Sequence, residues 1–387
     1  MTQINGTVQD GYGKVADAFG ANFDDHGELG AAFALYVDGE CTVDVWAGVA
    51  DKTTGRVWEE DTLQLVFSTT KGAAAVCVAQ LVEAGKIDYD APVASYWPEF
   101  AAAGKEAITV SQLLSHQGGL PYVDVPLTFD DILSVDPVVA ALAAQQPVWV
   151  PGSAHGYHAL TYGWLAGELV RRVDGRRIGQ YFADEVAAPL GLDFWIGLPE
   201  SEEARVSRLE QSPPPSDPAE LELMMTVMGP GTNGFKALTM NGALNGFGGE
   251  SPFNTRAVHA TEMPAANGIT TARSLARMYA ATVSEVDGVR LLDDATVKVA
   301  SAEQVNGPDA CLVADTQFGC GFMLHGTLTP MLGEGSFGHA GAGGSLGYAD
   351  PEAKVGYGYV MNQMGGGLTG DPRTIGLNAA VRACLDS

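Results

Sequence analysis

The stretch Leu63-Gln64-Leu65-Val66-Phe67-Ser68-Thr69-Thr70-Lys71 runs from a strand-like apolar segment into a helix-like one, Gly72-Ala73-Ala74-Ala75-Val76-Cys77-Val78-Ala79-Gln80-Leu81-Val82. A serine at the first turn of a helix has its hydroxyl beside unpaired backbone N–H groups and the positive end of the helix dipole. A lysine three residues later lies on the same face of the helix. The spacing therefore brings the Lys71 amine within reach of the Ser68 hydroxyl.

This pair predicts a serine nucleophile and its base. A serine hydroxyl is a weak nucleophile until a neighbouring base activates it. Lys71 can be that base only if burial or nearby positive charge lowers its pKa. The ordinary alternative for such a spacing is a serine N-cap followed by a solvated lysine. The apolar segments on both sides favour a buried lysine and hence the catalytic interpretation.

Composition limits the possible partners. The chain has 387 residues, of which 46% are hydrophobic, enough for one two-lobed unit or two domains. A net charge of -26 argues against nucleic acid and anionic membrane surfaces. We see neither a signal peptide at residues 1–6 nor an apolar run of about 18 residues. We therefore expect a cytoplasmic protein that acts on a small molecule, with its oligomeric state left open.

The cysteines and histidines suggest neither a disulfide framework nor a metal site. The five cysteines are scattered and odd in number, so we interpret them as reduced thiols, with a Cys311–Cys320 bond as the minor alternative. His155 and His158 are three residues apart, but no carboxylate cluster or HExxH motif accompanies them. We expect structural or supporting roles for both, and neither a metal nor another cofactor.

Both ends of the chain have β-rich patterns. Two apolar runs, 31–37 and 42–48, are joined through Asp38-Gly39, a strong hairpin signal. Near the C-terminus, residues 318–324, 343–348 and 355–362 are predicted strands, and residues 371–385 are a predicted helix.

The middle of the chain has a helical pattern. Helices are predicted over 109–116, 161–173, 178–188 and 271–281, with a loop-rich region over 203–260 that includes a proline cluster at 212–218 and a glycine patch at 246–249. The simplest arrangement is one α/β lobe from residues 1–95 and 285–387, with a mainly helical lobe, 96–284, inserted.

Tyr157 is a candidate proton carrier. It follows a Pro151-Gly152 turn and precedes a predicted helix. Nearby positive charge would favour the phenolate and let the side chain move a proton between Ser68 and a leaving group. The alternative is a packed aromatic ring with a satisfied hydroxyl.

The stretch from Phe337 to Ser345 is rich in small residues, which allow a ligand to approach the backbone closely. A substrate carbonyl could rest against the N–H groups of Ala342 and Ser68, which would form an oxyanion hole. His339 could add a hydrogen-bond donor or a positive charge beside it, or could be an ordinary surface histidine.

A competing motif lies in the same stretch. Gly343-Gly344-Ser345-Leu346-Gly347 matches G-x-S-x-G, which needs a strand, a sharp turn and then a helix. Ser345 is followed by a turn and another predicted strand, so this context argues against Ser345 as the nucleophile.

Three motifs in order, S-x-x-K, a tyrosine after a Pro-Gly turn and a His-Gly strand, resemble the serine β-lactamase-like hydrolases. The chain is similar above all to class C β-lactamases and family VIII carboxylesterases. Stretches 108–121, 189–192 and 264–269 support the resemblance, which covers roughly residues 20 to 385. It implies an α/β plus all-α fold, with an antiparallel sheet flanked by helices, an inserted helical lobe and the site between them.

The resemblance assigns roles to individual residues. It implies that Ser68 is acylated, that Lys71 is its base partner and that Tyr157 matches the tyrosine of the Y-x-N motif. His339-Ala340-Gly341 stands where β-lactamases have K-T-G, and Ala159 replaces the asparagine of Y-x-N. Both departures remove polar contacts to a β-lactam and leave the acyl-transfer residues in place.

We therefore predict a serine carboxylesterase that hydrolyses small to medium esters through an acyl-enzyme on Ser68, with Ala342, His339 and Gly341 at the substrate. The alternatives are a β-lactamase, D-peptidase or acyltransferase with the same catalytic residues, or a non-catalytic acyl-binding sensor that does not turn over.

Overall fold

The structure is a computed structural model that describes residues 2–212, 217–244, 251–366 and 370–387. Within these residues the strands are β1 (Asn5–Val8), β2 (Gly30–Val37), β3 (Glu40–Asp51), β4 (Arg56–Val57), β5 (Gln64–Leu65), β6 (Phe194–Trp195), β7 (Ile269–Thr270), β8 (Val305–Pro308), β9 (Asp315–Phe318), β10 (Met323–Leu324), β11 (Phe337–Ala340), β12 (Leu346–Asp350) and β13 (Val355–Met361). The α-helices are α1 (Gly13–Asp25), α2 (Thr70–Glu83), α3 (Val110–Leu114), α4 (Phe129–Ser134), α5 (Asp136–Ala144), α6 (Thr161–Asp174), α7 (Ile178–Phe182), α8 (Ala188–Leu190), α9 (Pro218–Met228), α10 (Asn233–Thr239), α11 (Arg256–Ala260), α12 (Ala272–Val283), α13 (Asp294–Ala300) and α14 (Pro372–Leu385).

The main sheet is antiparallel and is built from both ends of the chain. Its order is β1-β3-β2-β13-β12-β11-β10-β9-β8, with β4 paired to β3. The N-terminal strand β2 pairs with the C-terminal strand β13 from Ala31↔Met361 to Val37↔Val355. Three short strands form a second sheet in the order β5-β7-β6. This arrangement confirms the predicted antiparallel sheet flanked by helices.

Alternation along the strands buries both faces of the main sheet. In β2, Phe33 and Leu35 belong to the core that includes α1 and α14, whereas Ala32 and Ala34 belong to the core that includes α12. In β13, a Cβ atom on Gly358 would lie 2.4 Å from the carbonyl oxygen of Ala272. Glycine at this position therefore lets α12 lie directly on the sheet.

Helix α2 is the central buried element. Eleven of its residues are buried, and it contacts α6, α7, α13 and strand β11. A helix that is apolar on all sides is stable only when it is surrounded by protein. The predicted helix after Ser68 is thus confirmed. Because α2 is buried, Lys71 in its first turn is buried as well, next to the half-buried Ser68. No helix in the described ranges is long and apolar enough to cross a membrane.

Several sequence predictions need correction. The single strand expected over 318–324 is two strands, β9 and β10, separated by a turn in which Gly321 has a φ of +93°. The strand expected from residue 343 begins at Leu346, because Gly343 and Gly344 also have positive φ angles. Of the strand-like run 63–67, only Gln64–Leu65 is a strand.

The region 203–260 is more helical than predicted, because α9, α10 and α11 lie within it. Residues 213–216 of the proline cluster and the glycine patch at 246–249 lie outside the described residues. The lobe boundaries at 95 and 284 stay a prediction, although α12, which we assigned to the inserted lobe, packs on the main sheet. All five cysteines are free, so the alternative Cys311–Cys320 bond is wrong.

Candidate active site

Ser68 lies in a tight turn between β5 and α2. Phe67 has a φ of +45°, an uncommon left-handed conformation for a residue with a side chain. The backbone N–H of Thr70 donates to Phe67 O at 3.0 Å, and that of Lys71 donates to Ser68 O at 2.9 Å. These turns lead directly into α2, whose N-cap is Thr69. Ser68 itself is half-buried and stays accessible at the start of the helix.

Lys71 is fully buried, and its amine has three partners. Its Nζ lies 2.7 Å from Ala159 O, 3.0 Å from Ala265 O and 3.1 Å from Ser68 Oγ. Burial lowers the pKa of Lys71 well below its ordinary value. A neutral amine has two N–H donors and one lone pair, so the two carbonyls take the hydrogens and the lone pair faces Ser68. This arrangement lets Lys71 accept the proton of the Ser68 hydroxyl.

Tyr157 lies beside this pair. The centre of its buried ring is 4.7 Å from Lys71 Nζ. Burial raises the pKa of Tyr157, and a hydrogen bond with the Ser68 side chain opposes this effect only in part. The expected shift towards the phenolate is therefore wrong, because burial disfavours the charged form of the phenol. Tyr157 is a phenol near neutral pH and can donate its hydrogen.

A buried carboxylate holds the Tyr157 backbone in position. Asp309 Oδ1 accepts the N–H of Tyr157 at 3.0 Å and those of Cys311 and Leu312 at 2.8 Å each. Its other oxygen accepts the Thr316 hydroxyl at 3.1 Å. Asp309 thereby ties the loop before α6 to the β8–β9 hairpin. No motif in the sequence pointed to it.

His158 has a structural role, as expected. Its Nδ1 donates to Gly156 O at 2.6 Å, and its Nε2 accepts the N–H of Leu120 at 2.8 Å. Burial lowers its pKa to about 4, so the ring is neutral near neutral pH. With both ring nitrogens engaged, His158 holds the chain so that the next carbonyl, that of Ala159, meets Lys71.

His339 is a buried, neutral ring. Its Nδ1 lies 2.6 Å from Ala340 O. Because a carbonyl can only accept, Nδ1 carries the hydrogen and Nε2 carries a lone pair. Nε2 has no hydrogen-bond partner within the part of the chain that the structure describes. Burial lowers the pKa of His339 to about 3, so the expectation of a positive charge here is wrong.

The turn after β11 carries the second predicted oxyanion donor. The N–H of Gly344 donates to Gly341 O at 3.1 Å, and Gly343 has a φ of +84°, as a glycine in the third position of a type II turn requires. Ala342 is half-buried in the second position. No hydrogen bond among the described residues uses the N–H of Ser68 or of Ala342. Both donors are therefore available to a substrate, and their pairing in an oxyanion hole stays a prediction.

Gly341 and Ser345 join this turn to the Ser68 segment. Ser345 Oγ donates to Val66 O at 2.9 Å and lies 3.0 Å from Thr69 Oγ1. A Cβ atom on Gly341 would lie 2.2 Å from both Ser345 Oγ and Val66 O. Ser345 is buried and is followed by strand β12, so its hydroxyl braces the Ser68 turn. Its surroundings agree with the sequence argument against a nucleophilic role.

Two backbone carbonyls of the site could not be predicted from the sequence patterns. The carbonyls of Ala159 and Ala265 orient the Lys71 amine. A backbone carbonyl is present whatever the side chain, so residue types could not reveal it. The stretch 264–269 supported the family resemblance, but it did not indicate that Ala265 would face the lysine.

Comparison with known proteins shows the family of the chain. The family model described as Beta-lactamase matches residues 15–380, and the chain belongs to the β-lactamase family. It is 36% identical over 373 residues to the esterase/β-lactamase LipL of Mycobacterium tuberculosis (strain ATCC 25618 / H37Rv), covering 94% of this chain and 83% of LipL. The resemblance inferred from the three motifs is thereby confirmed.

Solved structures give the same result. The chain matches a family VIII carboxylesterase with a TM-score of 0.87 and 39% identity, covering 99% of this chain and 100% of that one. It matches EstA from Arthrobacter nitroguajacolicus Rue61a with a TM-score of 0.87 and 34% identity, covering 100% and 99%. A penicillin-binding protein homologue from Caulobacter crescentus matches with a TM-score of 0.87 and 40% identity, covering 99% and 100%. The protein is a serine β-lactamase-like hydrolase.

Proposed function

We propose that this protein is a serine carboxylesterase that hydrolyses small to medium carboxylic esters through an acyl-enzyme on Ser68. The observation that carries the proposal is the Lys71 amine, whose two carbonyl partners leave its lone pair towards the Ser68 hydroxyl at 3.1 Å. The names of two relatives, an esterase/β-lactamase and a family VIII carboxylesterase, support the same reaction class.

In the proposed reaction, Lys71 takes the Ser68 proton while Ser68 Oγ bonds to the ester carbonyl carbon. The carbonyl oxygen becomes an oxyanion, and the N–H groups of Ser68 and Ala342 stabilise it. The carbon–oxygen bond to the alcohol then breaks, and the proton on Lys71 reaches the departing alkoxide by way of the Tyr157 hydroxyl. Water attacks the acyl-enzyme in the same manner and releases the acid and free Ser68.

The surroundings of the pair favour esters over β-lactams. Ala159 offers no side-chain amide, and Ala340 offers no hydroxyl. A neutral His339 with a lone pair on Nε2 cannot form an ion pair with a carboxylate. A β-lactam therefore loses the contacts that would anchor its amide and carboxylate, whereas a simple ester needs only the nucleophile and the oxyanion donors.

A substrate comparison tests the proposed class. Lost hydrogen bonds cost about 0.5–1.5 kcal/mol each, or about 1.5–3 kcal/mol where a charge is involved. We expect kcat/KM for p-nitrophenyl acetate and butyrate to exceed kcat/KM for nitrocefin by at least about a hundredfold. Comparable values for esters and nitrocefin would refute the esterase assignment and favour a β-lactamase.

Covalent labelling tests the nucleophile. We expect a fluorophosphonate to form an adduct on Ser68, located by peptide mass spectrometry, and Ser68→Ala to abolish both labelling and ester hydrolysis. Ser201→Ala is the matched control, because Ser201 is exposed and its hydroxyl donates to Glu202, its one side-chain partner among the described residues. An adduct on Ser345 or any other serine would overturn the assignment.

We also propose a cytoplasmic location. Five free cysteines, three of them buried, are typical of a protein that folds in a reducing compartment.

A further inference from the structure

The turn that carries Ala342 is rich in glycine and has two hydrogen bonds of its own, from Gly344 N–H to Gly341 O at 3.1 Å and from Gly341 N–H to Ser345 O at 2.7 Å. Pairing between β11 and β12 ends at Ala340↔Leu346, and three of the four residues from Gly341 to Gly344 are glycines. Glycines lose more conformational freedom on ordering than other residues do. The Gly344 N–H that holds the peptide of Ala342 shares its own peptide plane with Gly343 O, so contacts to Gly343 O from outside the turn help to fix the direction of the Ala342 N–H.

Arg373 supplies such a contact. It lies in the first turn of α14 and is 3% exposed. Its Nη2 donates to Gly343 O at 2.6 Å, and the N–H of Gly365 donates to the same oxygen at 2.8 Å. The carbonyl of Gly343, the residue after Ala342, is therefore held by a cation on a different element of the fold.

All five N–H groups of the Arg373 guanidinium are used. Nε and Nη2 donate to the two carboxylate oxygens of Asp371 at 2.9 and 2.7 Å, and Nη1 donates to Glu28 Oε2 at 3.1 Å and to Gln363 O at 2.9 Å. The second hydrogen of Nη2 goes to Gly343 O. A guanidinium has five donors in one rigid plane, so only arginine can make this set of bonds.

We propose that Arg373 is a positioning residue for the reaction, which fixes the Ala342 N–H in the direction of the oxyanion by holding the Gly343 carbonyl. The inference rests on the proposed function, because it takes Ala342 as an oxyanion donor. Arg373 lies on the C-terminal helix α14 and contacts Glu28 in the N-terminal segment. Through Arg373, both segments therefore influence the geometry of the turn from Gly341 to Gly344. Arg373 does not touch the substrate.

The primary test is Arg373→Lys, which keeps the positive charge but replaces the planar guanidinium by a single amine that cannot donate to all of these acceptors. Loss of one oxyanion donor costs about 10²–10³ in kcat, and a displaced donor should cost about 10–10². We expect kcat for p-nitrophenyl butyrate to fall by that factor, with KM changed less than about threefold, since ground-state binding does not use the oxyanion geometry. Arg382→Lys, an exposed position on the same helix, is the matched control and should leave both constants unchanged.

A second variant guards against misfolding of the first. Asp371→Asn keeps the N-cap acceptor for the Arg373 backbone N–H. It presents an N–H₂ group where Arg373 Nη2 needs an acceptor, so it should displace Nη2 and lower kcat several-fold at unchanged KM. Circular dichroism and the melting temperature establish that each variant is folded.

The outcomes separate this inference from the proposed function. An unchanged kcat in folded Arg373→Lys, or in folded Asp371→Asn if the lysine variant does not fold, overturns the positioning role. A rise in KM at constant kcat overturns it as well. If Ser68→Ala keeps its activity, the proposed function itself fails, whatever the Arg373 variants show.

Discussion

Two buried lysines in this protein differ in the hydrogen-bond partners of their amines. Lys105 and Lys71 are both fully buried. Lys105 Nζ is surrounded by three backbone carbonyls, those of Ala102, Ala143 and Gln145, which are pure acceptors and suit an ammonium with three hydrogens. Lys71 has only two carbonyls, and its third partner, the Ser68 hydroxyl, can itself donate. Burial lowers the pKa of both amines, and of the two it is Lys71 that faces a hydroxyl whose proton it can accept.

The first residue-scale prediction concerns the pH dependence of ester hydrolysis. Because burial lowers the pKa of Lys71, its active neutral form exists above a midpoint that lies well below lysine's ordinary value. Activity should therefore rise with pH through this midpoint and fall as acid protonates the amine. A profile of kcat/KM against pH for an activated ester measures it.

Two variants show which group titrates. Lys71→Met should reduce kcat by a factor on the order of 10²–10⁴, the range for lost general-base help. His339→Asn should leave the midpoint in place, because the His339 ring, with a pKa of about 3, is already neutral there. A midpoint that disappears in His339→Asn while Lys71→Met keeps it would show that the histidine is the base.

At the scale of elements, the site depends on how closely the β11–β12 turn approaches the start of α2. Gly341 lies against Val66 O and the Ser345 hydroxyl with no space for a side chain. The N–H of Gly341 also donates to Ser345 O at 2.7 Å across the turn. The nucleophile turn and the predicted oxyanion turn are therefore in direct contact, and a change at their contact should affect both stability and activity.

Gly341→Ala tests this contact. The added methyl group must push the two turns apart, which should cost about 1–3 kcal/mol in stability and lower kcat by about 10–10². Urea unfolding and steady-state kinetics measure the two effects. Gly376→Ala on α14 is the control, because no described atom outside the neighbouring helix backbone lies within 4 Å of its Cβ position. This helix-interior change should raise stability by about 0.5–1 kcal/mol and leave activity unchanged, and a similar result for Gly341→Ala would contradict the close contact.

At the scale of the whole molecule, the two ends of the chain are joined in one sheet that carries a large net charge. Strands β2 and β13 pair along seven residues, so the sheet forms only when the first and last parts of the chain meet. Folding also brings the charged side chains, with a net charge of -26, closer together than they are in the unfolded chain. Self-repulsion of this kind destabilises the compact state and is screened by salt.

We therefore expect the melting temperature to rise by at least about 1 °C between about 10 mM and 500 mM NaCl, the size of shift that about 1 kcal/mol produces in a chain of this size. Differential scanning calorimetry gives the measurement, and KCl should act equally if screening is the cause. A melting temperature that is unchanged or falls with salt would show that repulsion is not a significant term.

The sequence by itself determined the local elements and pointed to the residues that we propose to react. The Asp38-Gly39 hairpin, helix α2 and the Ser68–Lys71 spacing depend on interactions between neighbours in the chain, which residue types specify directly. The family resemblance rested on the same short motifs and correctly indicated the class of hydrolase.

Only the tertiary structure decided the protonation states and the supporting contacts. A positive charge was one possibility for His339 and a shift towards the phenolate one for Tyr157, but burial by distant segments opposes both. Asp309 and Arg373 act through backbone groups 152 and 30 residues away in the chain. A backbone carbonyl or N–H is the same at every position, and desolvation depends on everything packed around a group, so neither can be inferred from residue types along the chain.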